Sequence, residues 1–237
     1  MEYAEPSVQG HRENRTPTVP VVTTRDEDIV RWITRHGLVT ADQVEARFFG
    51  SPWAAYRRLR ALERLKLIRR DLTHYRHPAV IRVTMQGAQL AAVGVGPARL
   101  VPHAVPHSLA VVDLTERVLR DHPGNTLITE REFRAAELRA LREGTLTRCP
   151  RIPDGILVLS RADGAERVAL ELDLTPKRTR EIKSVVDAYA RMYDAYPDDE
   201  HVSAVWWWVL PATVERVRIL VRTLGADDFI TVKGWER

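Results

Sequence analysis

Cysteine is almost missing from these 237 residues, with Cys149 the single example. That excludes an internal disulfide framework and a zinc site built on cysteines. Long apolar runs are missing too. The longest, Val202 to Pro211, is far too short to cross a bilayer, so no membrane partner is expected. The N-terminus does not have the basic-then-apolar layout of a signal peptide. No Gly-rich phosphate loop is present, and no internal repeat appears. A cytoplasmic location is expected from these absences.

What is present supports a packed core. The hydrophobic fraction is 44%, which argues against general disorder. The net charge of +4 is modest, but Arg outnumbers Lys and the Arg residues cluster. Arg makes the better forked contacts to phosphate and guanine.

The chain divides by pattern. Residues 1–23 are polar and aperiodic and read as a disordered arm. Residues 24–94 then read helix, helix, basic helix, hairpin, helix. The first helix opens with Asp26-Glu-Asp28 and ends at Gly37. Thr40-Ala-Asp-Gln43 fits a capping box for the second. Ser51 and Pro52 start the third as N-cap and first helical residue. Leu67–Arg70 and Val80–Val83 read as a β-hairpin, and Thr84 caps the helix after it. This is the order of a winged helix-turn-helix, a DNA-binding domain. Residues 95–107, with three prolines, read as a linker. Residues 108–237 read as α-β-(α)-β-β-α-β-α-β, a mixed sheet with helices on its faces. The fold class is therefore α/β in the α+β sense, with a winged helix-turn-helix before a mixed-sheet domain.

The third helix carries Trp53, Arg57, Arg58, Arg60, Arg64 and Lys66, and Arg69 and Arg70 follow at once. Several of these would neutralise phosphates and one or two would reach guanine edges. Arg76, with His74, Tyr75 and His77 at the hairpin tip, is a further candidate contact to DNA. A solvated basic face and a polar loop tip are the plainer readings.

Two apolar strands carry carboxylates, Arg151-Ile-Pro-Asp154-Gly155 and Glu171-Leu-Asp173. A hairpin would bring Asp154 and Glu171 side by side at one edge of a sheet. Asp173 points to the face of Glu171, since strand side chains alternate. Asp154 and Glu171 are the expected ligands of Mg²⁺ or Mn²⁺. Lys183, on the following helix, is the candidate cation of the site, and Glu130 a candidate further acid. The alternatives are salt bridges from the carboxylates to Arg151 or Lys177, and a helix N-terminal charge at Glu130. Trp206-Trp-Trp208 reads as buried strand rather than a base-stacking surface, and Tyr189 as packing.

The carboxylate pattern resembles the PD-(D/E)-x-K nuclease core, except that Asp173 stands where that motif has Lys. The whole order of pieces resembles the replication-relaxation family of actinobacterial plasmids, phages and other mobile elements. The resemblance rests on Thr84-x-x-Gly87, His107-Ser-Leu, Thr129-Glu130, Arg151-x-Pro-Asp-Gly155, and Glu171-Leu-Asp173 with Thr175, Lys183 and Tyr189 downstream. It implies a sequence-directed DNA-binding protein of a plasmid or other mobile element, acting in replication and DNA relaxation or its regulation, with a restriction-endonuclease-like second domain and a nucleoid or plasmid association. The alternative function is a Mg²⁺-dependent endonuclease or nickase targeted by its winged helix. The expected partners are double-stranded DNA, a second copy of the chain in a homodimer, and plasmid replication or relaxation proteins.

Overall fold

The structure, a computed structural model, describes residues 21–72, 78–144, 149, 151–162, 164–195 and 202–236, without the side chains of residues 193–195. The fold is mixed α and β. Helix α1 (Thr24–His36) starts on a capping box in which Thr23 and Asp26 satisfy each other's backbone amides. It ends at Gly37, whose φ of 89° suits a residue without Cβ. Thr40 and Gln43 repeat the box for α2 (Ala41–Phe48). Pro52 opens α3 (Pro52–Arg64), where its missing N–H costs nothing. Ser51 holds the N-cap position, though its side chain makes no capping hydrogen bond. Ala55, Leu59 and Leu62 turn the apolar stripe of α3 onto Ile29, Ile33 and Val44.

Strands β1 (Ile68–Asp71) and β2 (Val80–Val83) pair antiparallel, Ile68 opposite Val83. Helix α4 (Met85–Ala91) follows, with Thr84 accepting the Gly87 amide at 3.2 Å.

Residues 95–101 carry no regular element, and a 3-10 turn at Pro102–Ala104 leads into α5 (Val105–Asp121). This helix begins three residues before the Ser108 start read from the sequence. Pro106 falls in its first turn, where proline is tolerated. Next come β3 (Thr126–Thr129), α6 (Glu130–Glu143), β4 (Gly155–Arg161), β5 (Gly164–Leu172), α7 (Thr179–Ala195), β6 (Ala204–Val209), α8 (Val214–Thr223) and β7 (Ile230–Gly234).

Five strands form one sheet in the order β3-β4-β5-β6-β7. The pairs β3–β4 and β4–β5 are antiparallel, and β5–β6 and β6–β7 are parallel. Alternation along the strands splits the core in two. Ile156, Ala169, Val205 and Trp207 face α7 and α8 through Ile182, Val186, Tyr189 and Val217. Leu157, Leu170, Leu172 and Trp208 face α5 through Ala110, Leu114 and Val118. Burying one such leucine contributes about 2 kcal/mol.

The first three helices are seated on α5 and α6. Val112 of α5 joins their core, and Leu38 and Val80 meet Val105 and Leu109. Polar clamps surround these contacts. Gln43 Nε2 donates to the Leu109 carbonyl and to Asp113. Glu116 accepts from Trp32 Nε1 at 2.8 Å and pairs with Arg47 at 2.7 Å. Arg35 pairs with Glu132, and Arg131 donates to the carbonyls of Thr34 and Gly96.

Candidate functional site

Two places bear on function. The first is the outer face of α3. Its buried stripe leaves Trp53, Tyr56, Arg57, Arg60 and Arg64 outside, and Lys66 stands exposed in the turn after the helix. Trp53 is 68% exposed and Tyr56 42%. Arg57, Arg60 and Arg64 have no acidic partner among the described residues, so a basic stripe faces solvent.

Three of the expected basic contacts are engaged elsewhere. Arg58 sits beside the buried stripe and forks onto both carboxylate oxygens of Asp26, which has no exposed surface. Burial pushes the Asp26 carboxyl up, but the Arg58 guanidinium and the Thr23 hydroxyl and amide pull it down further, leaving it below its ordinary value. Arg69 pairs with Asp71 at 2.5 Å, which leaves much of its side chain exposed. Arg70 lies 3.6 Å from Glu63 and over the Tyr56 ring. Arg76 lies outside the described residues.

The second place is an open cleft of about 1090 Å³ at the ends of β4 and β5, where Asp154, Glu171 and Asp173 meet His107, Arg151 and Lys177. The β4–β5 hairpin does bring Asp154 beside Glu171, but at the ends of the sheet's middle strands rather than at a side edge. Each carboxylate has its own partners. Asp154 Oδ2 accepts the Leu172 amide at 2.8 Å, and its own amide donates to Leu170. Glu171, 4% exposed, is forked by Arg151 and accepts the Tyr189 hydroxyl at 2.6 Å. Asp173 accepts Trp207 Nε1 at 3.0 Å and pairs with Lys177 at 2.8 Å. His107 Nε2 lies 3.0 Å from the Leu172 carbonyl and 3.5 Å from Asp154.

The charges follow from these neighbours. The hydrogen bond to Asp154 raises His107 to about 9 against the opposing effect of burial, so the imidazolium is favoured at neutral pH. Burial and the nearby Asp154 charge raise Glu171, while Arg151 and Tyr189 lower it. Burial lowers Arg151, but its pairing with Glu171 outweighs that and raises it overall. The fork and the tyrosine hydroxyl both need an acceptor, so the pair is read as ionised.

Lys183 and Glu130 are not drawn into the cleft. Ile182, Val185, Val186 and Tyr189 are the positions of α7 that turn inward, and Lys183 is exposed. Glu130 lies in the first turn of α6 and accepts from Arg134 at 2.6 Å. His107 and Trp207 complete the cluster, although no motif in the sequence marked either as its partner. Their signal is long-range, since they lie 65 and 34 residues from the groups they touch.

A hard divalent cation does not fit the donor set in this arrangement. Arg151 already covers both oxygens of Glu171, and Asp154 spends one oxygen on a backbone amide. Among the described residues no group of three or more His, Cys, Asp or Glu is arranged to hold a metal ion. Chemically, the cleft is a set of acids neutralised by the chain's own cations, with Lys177 on Asp173, His107 beside Asp154, and Arg134 paired with Glu130.

No curated protein matches the chain. The family profile described as Replication-relaxation matches residues 30–204, from the middle of α1 through the hairpin, both carboxylate strands and the helix after them. That match spans well over half of the sequence, and the chain belongs to the replication-relaxation family.

Proposed function

We propose that this chain is a sequence-directed DNA-binding protein of a plasmid or other mobile element, acting in replication, DNA relaxation or their regulation. The family supports a role of that kind. One observation carries the binding reading, the exposed stripe of Trp53, Arg57, Arg60 and Arg64 on α3. From Trp53 to Arg64 it is about 16 Å long at 1.5 Å per residue. A major groove is about 12 Å wide, so such a stripe crosses it and meets phosphates on both rims. In this reading α1 to α4 and the β1–β2 hairpin act as a winged helix-turn-helix, with α3 in the groove. The five-stranded unit is nuclease-like in its carboxylate strands, but it positions DNA or partner proteins without cutting.

Asp154 and Glu171 lying side by side favours a second reading, a Mg²⁺- or Mn²⁺-dependent nuclease or nickase. It requires Arg151 to turn away from Glu171. Incubation with supercoiled plasmid and either metal separates the two readings. The binding protein retards plasmid and leaves it supercoiled. Nicking that disappears in both Asp154→Ala and Glu171→Ala would establish the nuclease instead.

A further inference from the structure

The exposed tryptophan of α3 has no packing role. Of the six tryptophans, Trp32, Trp207, Trp208 and Trp235 are buried, and Trp206 is half-buried with Lys233 over its ring. Trp53 alone is mostly in solvent, at 68% exposure. Its ring is nearly parallel to that of Tyr56, with 25° between the planes and centroids 6.2 Å apart. Tyr56 is held by two arginines. Its hydroxyl accepts from Arg60 at 3.4 Å, and the guanidinium groups of Arg60 and Arg70 lie 5.8 and 5.4 Å from its ring centre. Arg70 Nε also lies 3.6 Å from Glu63, so that guanidinium contacts both the acid and the ring.

The two rings, with Arg57, Arg60 and Arg64, line a recess of about 260 Å³. Walls of two aromatic rings fit a flat group with π faces. A rim of three guanidinium groups fits anions attached to that group. A nucleobase on its sugar-phosphate chain has both properties. In continuous duplex the base faces are covered by their neighbours and only edges are offered to a helix in the groove. A base already out of the stack offers its face at the least cost.

We infer that the Trp53–Tyr56 recess takes one unstacked base, so that α3 binds DNA containing unpaired bases more tightly than the same DNA fully paired. The inference rests on the reading of α3 as the DNA-binding helix and adds the form of DNA it selects. One stacked base is expected to contribute about tenfold in affinity.

The test uses the full chain and three labelled DNAs of one length: a paired duplex, the same duplex with a short mismatched centre, and the single strand. Wild type is expected to bind the mismatched duplex about tenfold more tightly than the paired one at equal salt. Trp53→Ala is expected to erase that difference, and Trp53→Phe to keep most of it. Trp53 lies outside the core, so neither change disturbs folding. Equal binding of the paired and mismatched duplexes by wild type overturns the inference and leaves duplex binding by α3 intact. A preference that persists in Trp53→Ala also overturns it. No binding to any of the DNAs overturns the reading of α3 as well. If the chain self-associates through this face, Trp53→Ala lowers its mass in sedimentation and no DNA preference appears, which again overturns the inference.

Discussion

Asp26 serves two elements at once. Its carboxylate caps α1 through Thr23 and anchors α3 through Arg58, from a position without exposed surface. A buried acid of this kind depends on its partner. Arg58→Ala is predicted to cost about 3 kcal/mol, read as a lower urea midpoint, because it leaves the charge of Asp26 buried and unpaired. Arg57→Ala, one residue away and exposed, is predicted to leave the midpoint unchanged. The pH dependence has a definite sign. Asp26 lies below its ordinary 3.8 in the folded chain, so its contribution is present above that value and is lost as pH falls through the lower folded value. Without Arg58 the buried Asp26 carboxyl moves up, so the stability gap between Arg58→Ala and wild type is predicted to be widest near neutral pH and to narrow as pH falls and Asp26 is protonated. A gap that does not change with pH would show that Arg58 does not hold Asp26.

Elements were the most legible scale. The capping residues at Thr40 and Thr84 are local chemistry, and each starts a helix where the sequence places one. Hydrophobic period found the sheet strands and the buried side of α3. Period tells which face turns inward, but not what covers it. Lys183 was therefore assigned toward the carboxylates, while its helix turns Ile182, Val185 and Val186 inward and leaves it outside. Arg58 looked like one more exposed cation because Asp26, its partner, lies 32 residues away. The alternation Trp206-Trp207-Trp208 predicted burial, yet only the sheet order explains why Trp207 reaches Asp173.

The Thr84-x-x-Gly87 passage shows an element-scale constraint that is testable. Thr84 donates its hydroxyl to the Lys66 carbonyl and its amide to the Leu67 carbonyl, tying β2 and α4 to the end of α3. Leu67 then lies so close to α4 that a Cβ at position 87 would stand 2.0 Å from its carbonyl oxygen. Gly87→Ala is predicted to destabilise by about 3 kcal/mol, at the upper end of overpacking costs, because the obstacle is backbone. A melting temperature equal to wild type would contradict this packing.

At the scale of the whole molecule, the two halves are joined by more than a linker. Glu116 holds Trp32 and Arg47, Gln43 reaches α5, and Arg131 holds both α1 and the stretch after α4. Arg82 also donates to the Ala98 carbonyl, and Leu100 packs with Leu38 and Val105. The sequence reads this proline-bearing stretch as a linker, and a free linker would be cut early. The packing predicts instead that Gly94 to Val101 stays intact under native conditions, because cleavage needs backbone that can leave the surface. Mass spectrometry of a limited digest checks this, and early cuts there would contradict the packed junction.

The central claim is that α3 grips DNA through its exposed arginines. Its most direct test is fluorescence anisotropy of a labelled duplex over a range of salt, comparing wild type with Arg57→Glu/Arg64→Glu. Each lost phosphate contact lowers the slope of log K against log salt by about 0.9. The double variant is predicted to bind far more weakly, with a slope shallower by roughly 1.8 for two contacts, and an unchanged urea midpoint. Wild-type affinity and slope in the double variant would contradict the account and place DNA binding elsewhere on the protein.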